Sequence, residues 1–392
     1  MPPLRILLVM IEPPLPFGNA AARWFYVLLK GLVERGHRVT AFAACSNPAD
    51  IPKSRALFPA PQYDLRLYPF PTRRGLGAKL ATLRRPYSYM FSDELKADLE
   101  TELAAGYDVF HLEQLWCGWL ALRHRERAVL NVLSLYAIDL EASPPATWGA
   151  RVQRYLLISA ERRLLRAYPR LLALSERIAE RIRELAPRTR VEVSPFGIDT
   201  ALYDYIPDER RTTEPVVGVI GSMNWHPSRS AAVRLLARLW PEIKRRVPAA
   251  RAEVVGWGAK SALAEFASLP DVAIEENVPD TRPYFARMGV LLYAPGRGSG
   301  IKVKVLEALA YGVPVVTTSE GVEALPAVDG LHAGIADDDA GLIECTIRLL
   351  ADPAARNRQR AAGRALLEAH CGPEPTLRGI EAIYEGMLRE RR

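Results

Sequence analysis

Cysteine is scarce in this chain, with four residues in 392, and no two of the four stand in a C-x-x-C pair. The sequence therefore predicts neither a zinc site nor a disulfide framework, and it fits a reducing compartment. Long apolar runs are lacking as well. No stretch approaches 18 consecutive apolar residues, which argues against a membrane-spanning helix.

Other absences concern targeting and catalysis. The apolar run after Arg5 is too short for a signal peptide and is interrupted by Pro13, Pro14 and Pro16. We therefore expect a cytoplasmic location. The chain has no H-E-x-x-H, no Walker loop and no D-x-D pair near a strand end, and Asp337–Asp339 has the character of an exposed loop. We expect no metal and no resident cofactor.

Charge of either sign is plentiful but unevenly distributed. Residues 1–205 hold 28 lysines and arginines against 21 acids, whereas residues 206–392 hold 24 of each. The basic excess concentrates in Arg73, Arg74, Lys79, Arg84 and Arg85, and in the segment Arg151–Arg190. A basic face attracts anionic partners, yet no nucleic-acid-binding motif accompanies it, so we expect an anionic substrate or an anionic membrane surface. The plainer alternative is that these arginines are merely solvated on helices.

The apolar pattern predicts an α/β protein with two doubly wound, Rossmann-like domains. Strand-like apolar runs alternate with helical stretches, and the pattern restarts at Val216 after the polar, proline-flanked segment Pro207–Pro215. We therefore predict domains at 1–205 and 206–375, followed by a terminal helix over 376–392. Predicted strands are Arg5–Ile11, Arg38–Ala44, Val109–Leu112, Val129–Leu133, Leu171–Leu174, Val191–Val193, Val216–Ile220, Arg251–Val255, Val272–Ile274, Val290–Tyr293 and Val313–Thr317.

The most informative stretch is GRGSGIKVKVLEALAYGVPVV, residues 296–316. Its glycines form a loop of little side-chain bulk, and the pattern predicts a helix from about Ile301 with Ser299 as N-cap. Free N–H groups at such a helix start suit a phosphate. Lys304 and Glu307, three residues apart, share one helix face and suit a diphosphate and a ribose. The alternative is an ordinary solvated Lys–Glu pair.

The same stretch resembles the donor-site motif of the GT-B glycosyltransferases of family 4. The family's E-A-x-A-x-G-x-P-V-V run matches residues 307–316 at every fixed position. The resemblance implies that Glu307 holds the ribose of a sugar nucleotide, in a cleft between two facing domains. It also implies that the terminal helix over 376–392 crosses back onto the first domain. Many members carry a second glutamate, which contacts the donor sugar, eight residues upstream, where this chain has Ser299.

Further segments of the second half carry the resemblance. The loop Gly221–Pro227 resembles a variant in which G-S-M-x-W-x-P replaces the family's basic diphosphate clamp. Lys304 and, more weakly, Lys302 are then the expected cations, with backbone groups of Ser299, Gly300, Ile301, Gly221 and Ser222 completing the phosphate site. Gly256 begins a G-x-G turn near the expected nucleobase, and Val278 lies in the segment whose backbone would contact the base. The nucleobase, UDP or GDP, stays open.

The first half should bind the acceptor. Gly18 and Asn19 stand where the family has its acceptor-side glycine loop. His111 and Glu113 follow one strand and Asp139 follows another, so these three are the candidate catalytic groups. For His111 the alternative is a histidine satisfied in the core. Many members place a histidine at the end of the strand Val129–Leu133, but here Leu133 and Ser134 occupy that position.

The resemblance implies a retaining, metal-independent glycosyltransferase whose nucleoside diphosphate sugar is a co-substrate. Its expected partners are that donor and a small-molecule, glycan or lipid-linked acceptor, with the basic first domain at the inner face of a membrane in the lipid-linked case. Two alternatives stay open. One is a catalytically silent sugar-nucleotide-binding subunit, suggested by Ser299 and the missing histidine. The other is a nucleotide-sugar epimerase, which would need more acid–base groups.

Overall fold

The structure is a computed structural model that describes residues 2–72, 81–141, 145–194, 196–206, 211, 214–296, 298–323 and 325–390. It divides into two compact units, one formed by Met1–Asp199 with Pro373–Arg392 and the other by Thr200–Gly372. Arg73, Arg74, Lys79 and most of the predicted linker Pro207–Pro215 lie outside the described residues. Each unit has its own parallel sheet with helices, which confirms the predicted fold class.

The first unit is built on a seven-stranded sheet in the order β3-β2-β1-β4-β5-β6-β7. Apart from Arg5 at the start of β1, the residues of its central strands β1, β4 and β5 are buried, as expected for a parallel sheet covered on both faces. The strands are β1 Arg5–Met10, β2 Arg38–Cys45, β3 Asp64–Pro69, β4 Val109–Glu113, β5 Ala128–Val132, β6 Arg170–Ala173 and β7 Arg190–Val193.

The helices of the first unit include the last one in the chain. In chain order they are α1 Ala20–Glu34, α2 Ile51–Leu57, α3 Asp93–Ala104, α4 Tyr136–Asp139, α5 Trp148–Ala167 and α6 Glu176–Leu185, joined by the terminal helix α14 Pro373–Glu390. Helix α14 packs on α1, where the Leu377 side chain fills the space that a side chain at Gly31 would need. The chain end therefore helps to build the unit in which the chain begins.

The second unit is built on a six-stranded parallel sheet in the order β10-β9-β8-β11-β12-β13. Chain connections leave β8 and β11 in opposite directions, so the carboxyl ends of these neighbours form the switch point at which open α/β sheets bind ligands. The strands are β8 Val216–Ile220, β9 Arg251–Gly256, β10 Val272–Glu276, β11 Val290–Tyr293, β12 Val315–Thr317 and β13 Gly334–Ile335.

The helices of the second unit depart from the sequence prediction at one point. The sequence from about Arg229 to Arg246 predicts one helix, but the structure has α7 His226–Arg234, a π-helical turn Leu235–Leu239, and α8 Trp240–Arg246. Pro241 lacks the N–H that a regular α-helix would use there, and the wider turn precedes it. The other helices are α9 Ala259–Ala262, α10 Arg282–Arg287, α11 Val303–Tyr311, α12 Asp339–Ala351 and α13 Pro353–Cys371.

Candidate functional site

The carboxyl edge of the second sheet collects the predicted donor-site residues. Gly221 follows β8, Gly256 ends β9, Val278 follows β10, and the glycine loop 296–302 follows β11. The two glycines touch through their backbones, since a side chain at Gly256 would lie 1.7 Å from the carbonyl oxygen of Gly221. Only glycine at position 256 permits this close approach of the two loops.

Lys304 and Glu307 form the most distinctive contact at this edge. Both lie on α11, and the Lys304 Nζ is 2.6 Å from the Glu307 Oε2. The Glu307 side chain is 2% exposed and that of Lys304 is 25% exposed. The alternative interpretation was a solvated Lys–Glu pair on the helix surface. The structure differs from it, because the carboxylate is buried and the ammonium group is only partly exposed. This pair can offer an acceptor to a diol and a cation to a phosphate.

The start of α11 differs from the prediction. The helix begins at Val303, its N-cap position is Lys302, and no side chain caps it. Ser299 is buried and is not the N-cap, because Gly300 follows it with φ of +81°, a left-handed conformation that cannot belong to the helix. The amides at the helix start therefore belong to Val303, Lys304 and Val305, four residues later than Ser299–Ile301. Those of Val303 and Val305 donate to the carbonyl oxygens of Ile301 and Lys302.

Lys302, the weaker of the two expected cations, is buried in the structure. Its side chain is 3% exposed, its Nζ donates to the carbonyl oxygen of Gly300 at 2.7 Å, and it lies 3.7 Å from Glu320 Oε1. Glu320 in turn accepts a hydrogen bond from the Gly298 amide at 2.9 Å. Lys302 thus supports the glycine loop through these contacts. Among the described residues of the loop and of α11, Lys304 is the cation with access to solvent.

Sequence reasoning missed several groups around the same edge. Glu320 is one of them, and Ser230 is another, since its Oγ accepts from the Gly296 amide at 2.8 Å. Tyr293 ends β11, its hydroxyl lies 3.1 Å from the Ser228 Oγ, and burial raises the pKa of Tyr293 to about 12. No sequence signal marks these residues, because their roles depend on which loops the fold brings together.

Two exposed tryptophans were also missed, although the motifs contain them. Trp225 is 51% exposed and Trp257 is 62% exposed, both at the carboxyl edge of the sheet. Their loops are joined by a hydrogen bond from the Met223 amide to the Trp257 carbonyl oxygen, 2.9 Å long. Ser222 is exposed in the same loop as Trp225. Val278 is half-buried in the loop that follows β10. Exposed indole rings can stack on flat ligand rings.

His111 and Glu113 come together, but in the core of the first unit. Neither side chain has any exposed surface, and the His111 Nε2 lies 3.1 Å from the Glu113 Oε1. The His111 Nδ1 is 2.6 Å from the hydroxyl of Tyr384 on α14, and Asn131 donates to both Glu113 oxygens. Burial raises the pKa of Tyr384 well above its ordinary value. This geometry fits the core histidine of the alternative interpretation.

The other first-unit candidates lie apart from this pair. Asp139 is half-buried at the end of the short helix α4, beyond β5. Gly18, with φ of +89°, and Asn19 are exposed in the loop after β1. The Asn19 Oδ1 accepts a hydrogen bond from the Ala22 amide at 2.8 Å and so caps α1. Asn19 therefore has a structural role as the N-cap of α1 in addition to the expected role in acceptor binding.

Two further findings bear on the sequence-based expectations. Among the residues that the structure describes, no group of three or more His, Cys, Asp or Glu side chains is arranged to hold a metal ion. No helix in the same part of the chain is long and apolar enough to cross a membrane.

Comparisons with known proteins agree with this architecture. The model of Glycosyltransferase Family 4 matches residues 21–202, and that of Glycosyl transferases group 1 matches residues 214–352. A curated relative is 31% identical over 203 residues, covering 45% of this chain and 52% of its own length. It is the GDP-mannose-dependent alpha-(1-6)-phosphatidylinositol monomannoside mannosyltransferase of Mycolicibacterium smegmatis. The chain spans about half the length of that relative.

Solved structures of similar fold extend over nearly the whole chain. Sucrose-phosphate synthase from Thermosynechococcus elongatus aligns with a TM-score of 0.72 at 17% identity, covering 98% of this chain and 99% of that one. Anabaena HepE, solved with UDP and glucose, aligns with a TM-score of 0.69 at 13% identity, covering 97% and 100%. The two family models together span both units, and the chain belongs to the GT-B glycosyltransferases of the family 4, group 1 type.

Proposed function

We propose that this chain transfers a sugar from a nucleoside diphosphate donor to an acceptor hydroxyl, with retention of configuration and without a metal ion. The observation that carries the proposal is the Lys304–Glu307 pair, buried on one side and open on the other, on the helix that follows the glycine loop. Glu307 would accept hydrogen bonds from the ribose hydroxyls, and Lys304 would face the diphosphate.

The proposed reaction needs little from acid–base side chains. The bond between the sugar C1 and the diphosphate oxygen breaks as the acceptor oxygen bonds to C1 from the same face. The acceptor proton passes to an oxygen of the departing diphosphate. Lys304 and the positive end of the α11 helix dipole offset the negative charge that grows on that group. The complete burial of His111 and Glu113 supports a mechanism without a strong base from this pair.

The identity of the donor follows from the relatives as a proposal. The name of the Mycolicibacterium relative makes GDP-mannose the first donor to test. UDP-glucose, bound in a second structure of HepE, is the next. The same relative is named for a phosphatidylinositol-based acceptor, and the basic excess in residues 1–205 favours an anionic acceptor or a membrane that carries one. We place the enzyme in the cytoplasm, at the inner face of that membrane.

Replacing Glu307 tests the donor site. Glu307→Ala should weaken binding of GDP or UDP by about 10- to 150-fold, because a lost charge-assisted hydrogen bond costs roughly 1.5–3 kcal/mol. Isothermal titration calorimetry measures the effect. Glu242→Ala is a matched control, since Glu242 also contacts a cation three residues away on a helix of the same unit, but at the exposed surface. Unchanged affinity in a Glu307→Ala protein with a wild-type circular dichroism spectrum contradicts the ribose assignment.

Donor turnover separates the enzyme from a silent binding subunit. On long incubation without acceptor, a transferase of this type should slowly hydrolyse its sugar nucleotide, and chromatography of the released nucleoside diphosphate detects this. A protein that binds the nucleotide but releases none, with and without acceptor lipids or glycans, would instead support the silent binder.

A further inference from the structure

Helix α5 of the first unit protrudes over its first three turns. Its buried residues, Ala160, Glu161, Leu164 and Leu165, all lie in its second half. In the first half Trp148 is 79% exposed, Tyr155 is 71% exposed and Val152 is 37% exposed. These three positions follow the spacing i, i+4, i+7 and therefore form one stripe along the helix. A tryptophan and a tyrosine this exposed lack the packing that aromatic side chains normally gain from folding.

The charge of this helix has one sign at its surface. It contains five arginines, at positions 151, 154, 162, 163 and 166, and a single acid, Glu161, which is buried. Arg151 and Arg162 are exposed and lie within about 60° of the apolar stripe around the helix axis. The exposed face thus combines apolar side chains with cations and contains no carboxylate.

A basic cavity adjoins the second half of α5. Its volume is about 610 Å³, and its lining includes Arg84, Arg85, Lys96 and Arg123 with one acid, Glu100. Apolar side chains, among them Phe91 and Leu122, complete it. Arg163 of α5 connects the two features, because it donates to the Arg84 carbonyl oxygen and its guanidinium lies 5.0 Å from the centre of the Trp119 ring in the cavity wall.

We propose that the exposed face of α5 docks on an anionic lipid bilayer, with Trp148 and Tyr155 at headgroup depth and the neighbouring arginines against lipid phosphates. Tryptophan and tyrosine favour the membrane–water interface, and basic residues are attracted to anionic leaflets. The cavity beside the helix offers cations and apolar wall to one anionic headgroup. This docking surface would bring the enzyme to a lipid-borne acceptor, and only that role rests on the proposed function.

Co-sedimentation with vesicles tests the surface. The full chain should pellet with vesicles of phosphatidylcholine and phosphatidylglycerol, bind much less to phosphatidylcholine alone, and release as salt rises. Trp148→Ser with Tyr155→Ser should weaken binding at least tenfold at all salt concentrations. Arg151→Gln with Arg162→Gln should weaken it by about 25-fold at low salt and much less at high salt, since each arginine contributes a factor of about five.

Matched controls lie in the second unit. Val328→Ser with Leu331→Ser removes two apolar side chains that are 54% and 49% exposed, and Arg245→Gln with Arg246→Gln removes two exposed charges. Both should bind vesicles like the wild type. Equal binding by the α5 variants, or no preference for anionic vesicles, overturns the proposal. So does a dimer in sedimentation velocity that the α5 variants abolish, because the face would then bind a second copy.

Nucleotide affinity distinguishes this proposal from the function. The α5 variants should bind GDP or UDP with wild-type affinity, whereas Glu307→Ala should pellet with anionic vesicles like the wild type. Loss of vesicle binding alone therefore concerns only the docking face, and loss of nucleotide binding alone concerns only the donor site.

Discussion

Lys304 has one observed partner, Glu307, and one proposed partner, the diphosphate of the donor. In the structure its ammonium group touches the buried Glu307. A bound diphosphate would draw the same ammonium toward charge that increases as the sugar leaves. The contribution of Lys304 should therefore belong more to the transition state than to the bound ground state.

Lys304→Met tests this division. The variant should lower kcat at least tenfold while changing the affinity for the free nucleoside, which has no phosphate, by less than about threefold. Steady-state transfer rates and calorimetry with guanosine or uridine measure the two quantities. Arg245→Met, which removes the exposed cation of another i,i+3 pair, should change neither. Equal losses of nucleoside affinity and rate would mean that Lys304 only supports the fold around Glu307.

For single residues, the sequence predicted the side chains that pair along a helix but not the contacts that side chains make within loops. Lys304 and Glu307 lie three residues apart, and a helix brings such a pair together whatever else the fold does. The burial of Lys302 was not predictable, because its long side chain turns back to the loop carbonyls and no spacing rule anticipates that contact. Ser299 fits the composition of a cap, but the left-handed Gly300 separates it from the helix.

Helix α4 begins where a buried carboxylate from α5 meets it. The Glu161 Oε2 accepts from the Tyr136 amide at 2.7 Å, and the Oε1 accepts from the Ala137 amide at 3.1 Å. Burial raises the pKa of Glu161 from 4.5 to about 7 despite these hydrogen bonds. A carboxyl whose pKa is raised on folding stabilises most when protonated. Its contribution is complete below about pH 4.5 and is lost as the pH rises toward 7.

Glu161→Gln should remove this pH dependence. Between pH 5 and pH 8 the free energy of unfolding of the wild type should fall relative to that of the variant by an amount on the order of 1–3 kcal/mol. Denaturant titrations across this range, followed by circular dichroism, measure the difference. Glu180→Gln alters an exposed carboxylate of the same unit and should run parallel to the wild type. A parallel curve for Glu161→Gln as well would contradict a raised pKa.

The buried strands were predictable from the sequence, whereas two of the four edge strands were not. The continuous apolar runs gave β1, β4, β8 and β11 within a residue or two, because both faces of these strands are covered. Strands β3 and β13 lie at sheet edges and were missed. The first, DLRLYP, is only partly buried, and the second has two residues, so neither has a distinctive apolar pattern.

The whole molecule depends on its last helix more than the sequence indicates. Helix α14 buries Leu377, Ile380, Ile383, Tyr384 and Met387, all in the first unit. Each such side chain contributes about 1.5–3 kcal/mol on burial, so the helix accounts for about 7–15 kcal/mol. That is comparable to the roughly 5–15 kcal/mol by which a typical domain is stable.

Ending the chain at Gly372 should therefore unfold the first unit and leave the second folded. Thermal unfolding of the truncated protein should lose one transition, and calorimetry should still detect nucleotide binding. Arg378→Ala with Arg389→Ala changes only exposed positions of α14 and should preserve both transitions. A truncated protein with two intact transitions would show that α14 contributes little.

The position of α14 also dictates an order of events at the ribosome. Residues 1–199 emerge first, yet their closing helix is synthesised only after the 173 residues of Thr200–Gly372. At about 5–20 residues per second the nascent first unit waits roughly 10–35 s with the α1 surface and His111 uncovered. The second unit, encoded later, is complete earlier. A newly made chain would thus complete the second unit, for which we propose nucleotide binding, before the unit that contains residues 1–199, and the α1 surface would stay uncovered during that interval.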